Sequence, residues 1–247
     1  MPCTATSSVT AAAPGPSGHD GPTLVAVQAL GDVPTRAEPA WKAGRVSMGP
    51  IEETRPRLAP AFGEAVATYD LPTAEHSSRV GALSRAVGAM LEIDEADLEA
   101  LTYAGRLHDL GKLGVPERTL AWPGPLGAAQ WQEIKRHPTI GADLVRSCYL
   151  QSGGSYSDQL DVVVAGIETH HERFDGSGYP AGYAREEIPL IGRIVGLVDV
   201  YDSMTQERSY RRQVFTSEEA LGYLAEKSGT LFDPTLVPVM IEVAHSR

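Results

Sequence analysis

The sequence predicts an all-helical domain that follows a disordered N-terminal tail. From about residue 60 almost to the end, apolar residues recur three and four positions apart, which is the period of an amphipathic helix. Residues 1–58 are rich in Ala, Pro, Gly, Ser and Thr without a sustained period, so they cannot bury enough apolar surface to offset the entropy lost on ordering. With 247 residues and 42% hydrophobic content, the chain can form one sizeable core. We therefore expect a tail over 1–58 and one domain over 59–247.

The first helices of this domain are predicted from apolar stripes and a cap. One stripe consists of Val80, Leu83, Val87 and Leu91. Asp94 is a typical N-cap residue and precedes a second helix. The stripe of that helix consists of Leu98, Leu101, Ala104 and Leu107. A third helix is expected to carry Trp131, Ile134, Leu144 and Val145 and to bend near Pro138, because proline removes a helical hydrogen bond.

The later helices follow from the same spacing. The segment Leu160–Thr169 is rich in valine and could form a buried strand, but its apolar residues keep the helical period, so we predict a helix. A further helix carries Ile191, Ile194, Val195 and Val198. Thr216 and Glu219 have the spacing of a capping box, which begins another helix. Asp233 followed by Pro234 is expected to start the last one.

Charge and cysteine content exclude several classes of function. Lys and Arg number 21 against 32 Asp and Glu, and this net charge of −11 disfavours binding to nucleic-acid polymers or anionic membranes. The two cysteines, Cys3 and Cys148, are too few for a disulfide framework. We see neither a secretory signal nor a run of about 18 apolar residues that could span a membrane. We expect a cytoplasmic protein.

The histidines are the strongest chemical signal. Of seven, His19 and His245 are interpreted as ordinary tail and terminal residues, and five fall in the helical region. A lone histidine there would more often be a packed or surface residue. The adjacent pairs His108-Asp109 and His170-His171 argue otherwise, because unpaired imidazoles and carboxylates inside a core cost kilocalories each.

These residues suit a metal site better than a packed core. Imidazoles with a few carboxylates favour Fe, Mn, Co, Ni or Zn over Ca or Mg. The candidate ligands are His76, His108, Asp109, His137, His170, His171 and Asp199. These seven exceed the four that one tetrahedral ion uses, which indicates at least two metals.

Two glycine-rich segments adjoin the candidate ligands. Gly111 and Gly114 permit a tight exit from the helix after His108, and Lys112 places a positive charge there. In the loop 176–182, Tyr179 has two open interpretations: contact with a base or partner protein, or part of a rigid turn that orients the histidines.

Several segments together carry a family resemblance. They are His76-Ser-Ser-Arg-Val80, His108-Asp-Leu-Gly-Lys-Leu-Gly-Val-Pro116, His137-Pro-Thr-Ile-Gly141, His170-His-Glu-Arg-Phe-Asp-Gly-Ser-Gly-Tyr-Pro180, and Asp199-Val-Tyr-Asp202 with Arg208-Ser-Tyr-Arg211. From about Thr73 to Val237 the chain resembles the HD-GYP branch of the HD phosphohydrolases, whose characterised members hydrolyse cyclic di-GMP. The resemblance implies an HD-domain-like helical bundle in which the seven candidate residues are the metal ligands.

The resemblance also implies roles for individual residues. Asp109 would bridge the metals, and Asp109 and Lys112 would be catalytic. Lys112, Arg208 and Arg211 would contact phosphate, and Tyr179 would contact substrate. Some relatives bind a third metal through a Glu four residues before the first His; that position is Pro72 here, so we expect two divalent ions. Fe and Mn are favoured, with Co, Ni and Zn as alternatives.

The implied reaction is hydrolysis of cyclic di-GMP to linear pGpG, GMP or both, by a hydroxide that bridges two metals. Two alternatives stay open. One is a phosphohydrolase of another nucleotide. The other is a catalytically weak signalling adaptor that binds a cyclic dinucleotide or docks on a diguanylate cyclase (GGDEF) protein through Gly178-Tyr179-Pro180. A homodimer is an open alternative to a monomer.

Overall fold

A computed structural model describes residues 71–151, 158–206 and 214–247, and the predicted tail over 1–58 lies outside them. Over these ranges the chain forms nine α-helices. They are α1 (Leu71–Met90), α2 (Glu95–Leu107), α3 (Glu117–Leu120), α4 (Ala128–Ile134), α5 (His137–Gln151), α6 (Asp158–Thr169), α7 (Leu190–Thr205), α8 (Ser217–Glu226) and α9 (Leu236–His245). Two 3₁₀ segments, Leu110–Gly114 and Arg185–Glu187, connect them. The predicted all-helical domain is confirmed.

The core lies where α1, α2, α6 and α7 pack against one another. The predicted stripes supply it: Val80, Leu101, Ile167 and Ile194 are fully or almost fully buried. Burying one such side chain contributes about 1.5–3 kcal/mol, so this four-helix layer contributes substantially to stability. Leu160–Thr169 is helical, as the spacing of its apolar residues predicts.

Two predicted caps are present. The Asp94 carboxylate accepts a hydrogen bond from the backbone N–H of Asp97 at 3.0 Å and begins α2. At α8, the Thr216 hydroxyl accepts from the N–H of Glu219 at 3.2 Å, and the Glu219 carboxylate accepts from the N–H of Thr216 at 2.8 Å. Each pair satisfies backbone donors that the first helical turn leaves without partners.

The prediction that one bent helix carries Trp131, Ile134, Leu144 and Val145 was wrong. The chain instead forms two helices, α4 and α5, separated by Lys135 and Arg136. Pro138 is the second residue of α5, where its missing N–H removes no helical hydrogen bond. The break places His137 at the start of a new helix.

The start of the last helix also differs from the prediction. α9 begins at Leu236 rather than directly after Asp233. The Asp233 carboxylate accepts hydrogen bonds from the N–H and the hydroxyl of Thr235, at 2.8 and 2.7 Å, so it stabilises a preceding turn. In the described ranges, no helix combines the length and the apolar character needed to cross a bilayer.

Candidate metal centre

Five helices of the described chain bring the predicted ligands together. His76 lies in α1 and Asp199 in α7, while His137 begins α5. His108 and Asp109 follow the end of α2, and His170 with His171 follows α6. The buried members are His76, His108, Asp109, His137 and His170. Residues that are far apart in sequence thus share one interior site.

The side chains form two groups that share one residue. In the first group, Asp109, His137, His170 and His171 place one potential ligand atom each within 4.8 Å of one another. In the second group, His76, His108 and Asp109 do the same. The Asp199 Oδ1 atom adjoins the second group, 3.1 Å from His76 Nε2 and 3.7 Å from His108 Nε2. All seven predicted ligands therefore belong to one cluster.

Asp109 faces both groups with different oxygens. Its Oδ1 lies 3.3 Å from His137 Nε2, and its Oδ2 lies 3.3 Å from His108 Nε2. Burial opposes ionisation, but the Lys112 ammonium and the His108 imidazole outweigh burial and hold the pKa of Asp109 well below its usual value. Lys112 Nζ is 2.6 Å from Oδ2. The carboxylate is therefore ionised and able to serve two sites.

Three imidazoles are oriented by the main chain. The Nδ1 atoms of His108, His137 and His170 lie 2.7–2.8 Å from the carbonyl oxygens of residues three positions earlier. A carbonyl oxygen only accepts, so each Nδ1 carries a proton, and in the neutral ring the lone pair is then on Nε2. Those lone pairs face the cluster, which is the arrangement of metal-binding histidines.

His108 shows that the cluster fits a metal. Its Nε2 atom is buried and makes no hydrogen bond in the described part of the chain. An orphaned buried nitrogen costs about 1–3 kcal/mol, and coordination of a cation removes that penalty. Imidazoles and carboxylates without a thiolate suit borderline and hard divalent metals.

The comparisons with known proteins identify the family. Residues 62–236 match the family model of the HD domain. The chain belongs to the HD domain family. The matched range includes His108-Asp109, which resembles the HD dipeptide, and Gly178-Tyr179-Pro180, which resembles the triplet of the HD-GYP branch.

Several relatives of this HD domain carry informative names. It is 34% identical over 195 residues to the cyclic di-GMP phosphodiesterase response regulator RpfG of Xanthomonas campestris, covering 79% of this chain and 50% of that protein. It is 36% identical over 174 residues to a cyclic di-GMP phosphodiesterase of Thermotoga maritima, covering 70% and 45%. A solved cyclic GMP-AMP-specific phosphodiesterase of Vibrio cholerae matches with a TM-score of 0.52 and 26% identity, over 69% of this chain and 44% of that one. The chain thus spans half or less of each of these three proteins.

The pKa values of the histidines in the centre shift in different directions. Burial and the neighbouring His137 lower the pKa of His171 to about 3, and burial lowers the pKa of His170 well below its usual value. Burial acts on His76 in the same direction, but hydrogen bonds to Asp199 and Asp202 outweigh it and raise the pKa of His76. The histidines of the first group are therefore kept neutral, and His76 lies beside negative charge.

Two residues that contact or support His76 had no role assigned from the sequence. Asp202 Oδ2 lies 2.7 Å from His76 Nδ1 and orients that ring. Arg79 donates from Nε and Nη2 to the two oxygens of Asp202, at 2.8 and 3.0 Å. Arg79 follows His76, and Asp202 follows Asp199, by one helical turn. This spacing is the signal that could have found them.

The Gly178-Tyr179-Pro180 loop lies against the first group. The Tyr179 ring stacks on His171 with a centroid separation of 4.7 Å and an interplanar angle of 27°. The Glu172 carboxylate accepts hydrogen bonds from the N–H groups of Ala181 and Gly182, at 2.7 and 3.1 Å, and so holds the loop closed. Contact of Tyr179 with substrate stays a prediction.

Gly111 lets the HD segment approach α5. A Cβ atom at this position would collide with the carbonyl oxygen of His137 and the backbone nitrogen of Gly141. Only glycine fits, and the close contact fixes His137 next to Asp109. Arg208 and Arg211, predicted to contact phosphate, lie outside the described residues.

Proposed function

We propose that this HD domain is a metal-dependent phosphodiesterase that hydrolyses cyclic dinucleotides, in the first place cyclic di-GMP. The observation that carries the proposal is the shared Asp109, whose two oxygens face two different groups of buried histidines. A shared carboxylate between two ligand groups is the layout of a two-metal hydrolytic site. The names of the relatives support the substrate class.

The proposed ligand sets follow the two groups. Asp109 with His137, His170 and His171 would hold one divalent ion, and Asp109 with His76, His108 and Asp199 would hold the other. Fe or Mn suits this donor set, with Co, Ni and Zn as alternatives. Bound divalent ions would supply Lewis acidity, lowering the pKa of water and offsetting negative charge on a phosphoryl group.

The chain's own side chains prepare the site for an anion. The Lys112 side chain is about one-third exposed beside Asp109, so a phosphate that enters from solvent can reach it. With Arg208 and Arg211 it would neutralise charge on the phosphoryl oxygens, where positioned cations stabilise the transition state. An acidic protein can bind an anionic dinucleotide when its cations converge on one pocket. The expected products are pGpG, GMP or both.

The test is to incubate the metal-reconstituted protein with cyclic di-GMP and with cyclic GMP-AMP, to resolve products by chromatography, and to measure metal content on the same sample. Two ions per chain and linear products are expected. A sample that contains two ions and hydrolyses neither compound would overturn the proposal.

We also propose that the exposed end of the loop can dock on a diguanylate cyclase. Pro180, Ala181 and Gly182 are exposed, whereas Tyr179 is half-buried against His171. Backbone held rigid at an exposed loop tip is a suitable surface for a protein partner. Binding of a purified GGDEF protein to an Asp109→Ala chain would demonstrate docking without hydrolysis, and lack of binding would refute it.

A further inference from the structure

Three side chains form a cluster at the edge of the candidate metal centre. The Trp131 and Tyr179 rings meet edge to face, with centroids 6.0 Å apart and an interplanar angle of 72°. The Lys135 ammonium lies over both rings, 5.6 Å from the Trp131 centroid and 5.3 Å from that of Tyr179. Because Tyr179 stacks on His171, this cluster is continuous with the ligand group.

Trp131 is not required by the core. It is 42% exposed, and the helix that carries it, α4, contains no buried residue. Tyr179 differs, because one face of its ring is covered by His171. The indole is thus the more exposed aromatic surface beside the centre, and large exposed aromatic rings next to a polar site are typical of ligand contacts.

Lys135 places a positive charge beside the two rings. In the described ranges no carboxylate forms an ion pair with it, whereas Lys112 pairs with Asp109 and Lys227 with Glu226. Its ammonium is held beside the two rings at a half-buried position. A ligand that matches this surface has a flat π face and hydrogen-bond acceptors along one edge.

We propose that Trp131, Lys135 and Tyr179 form the subsite for one guanine base of the substrate, an inference that rests on the proposed phosphodiesterase function. The base stacks on Trp131, and Lys135 donates to its O6 and N7 atoms. Guanine presents two acceptors on this edge, whereas adenine presents N7 and an amino donor, so Lys135 favours guanine. A base is joined to its phosphate through a single ribose, which requires the base subsite to adjoin the metal ligands, as this cluster does.

The first test compares two exposed tryptophans. Trp131→Ala should raise KM for cyclic di-GMP roughly 5- to 150-fold, the range that one base–aromatic stack supplies, with a smaller effect on kcat. Trp131→Phe should restore most of the lost affinity, which a purely structural role would not require. The control is Trp122→Ala: Trp122 is 52% exposed, and its indole N–H donates to the Pro125 carbonyl oxygen at 3.2 Å. An unchanged KM in Trp131→Ala, or an equal rise in both variants, would overturn the subsite.

The second test addresses base preference. Lys135→Met keeps the length of the side chain and removes the donor. The preference in kcat/KM for cyclic di-GMP over cyclic di-AMP should fall roughly tenfold, as loss of one good base contact predicts. An undiminished preference would refute the role of Lys135.

Fluorescence separates failure of the subsite from failure of the proposed activity. Cyclic di-GMP mixed rapidly with the metal-loaded protein should quench tryptophan emission before turnover, and Trp131→Phe should lose that quench. Quenching that depends on Trp131, without hydrolysis, would support the base subsite and contradict the proposed phosphodiesterase activity. Hydrolysis together with an unchanged quench in Trp131→Phe would support the phosphodiesterase activity and contradict the base subsite.

Discussion

The histidines of the centre are oriented by two kinds of contact. His108, His137 and His170 are fixed by backbone carbonyls, whereas His76 is fixed by the side chains of Asp202 and, behind it, Arg79. Backbone contacts exist wherever the helices form, but a side-chain contact is lost with one substitution. The difference teaches that three of the imidazoles are positioned by the helices themselves, whereas His76 in the second group depends on a side-chain network that one substitution can remove.

Asp109→Ala should have the largest effect, because this carboxylate belongs to both groups. We expect loss of both ions and loss of hydrolysis to background, with helicity by circular dichroism largely retained. The measurements are metal content and product formation on one sample. Hydrolysis that survives in this variant would show that the two groups do not depend on a shared ligand.

Gly111→Ala should damage mainly the first group, to which His137 belongs. The new Cβ has no space against the His137 carbonyl, so α5 must move away from Asp109. We expect a destabilisation of about 1–3 kcal/mol in urea unfolding, together with loss of the ion held by His137, His170 and His171.

Gly222→Ala is the matched control for that variant. Gly222 lies inside α8, and an added Cβ there meets nothing within 4 Å. This substitution should stabilise the protein by about 0.5–1 kcal/mol and leave the metal content unchanged. Equal stability changes in the two variants would contradict the close contact at Gly111.

Asp202→Ala should have a smaller and more selective effect. Without the carboxylate, the His76 ring is no longer oriented, and metal affinity in the second group should fall roughly 10- to 100-fold. The first group should keep its ion. Titration with Co²⁺, followed by absorption, would count the two sites separately; Asp202→Asn, which keeps an acceptor, should lose less. A uniform loss from both sites would remove the distinction between the groups.

Much of this architecture could be predicted from the sequence, because the relevant signals are local. The apolar stripes, the caps at Asp94 and Thr216 and the adjacent histidine pairs all act through neighbours along the chain. His76 and Asp199 are far apart in the sequence, and only the family resemblance predicted that they share one site.

The failures have a common cause. A proline that kinks a helix and a proline that starts one look the same in sequence, so Pro138 did not reveal the break between α4 and α5. The role of Asp202 was missed for a related reason. It depends on which face of a helix meets another element, and period alone does not say which partner that face will meet.

The most direct measurement is a crystal structure of the metal-loaded protein with anomalous difference maps recorded at the edge of the bound metal. Two peaks are expected, one touching Asp109 Oδ1 among His137, His170 and His171, and one touching Oδ2 beside His76, His108 and Asp199. A single peak, or peaks that lie away from Asp109, would contradict a shared carboxylate at a two-metal centre.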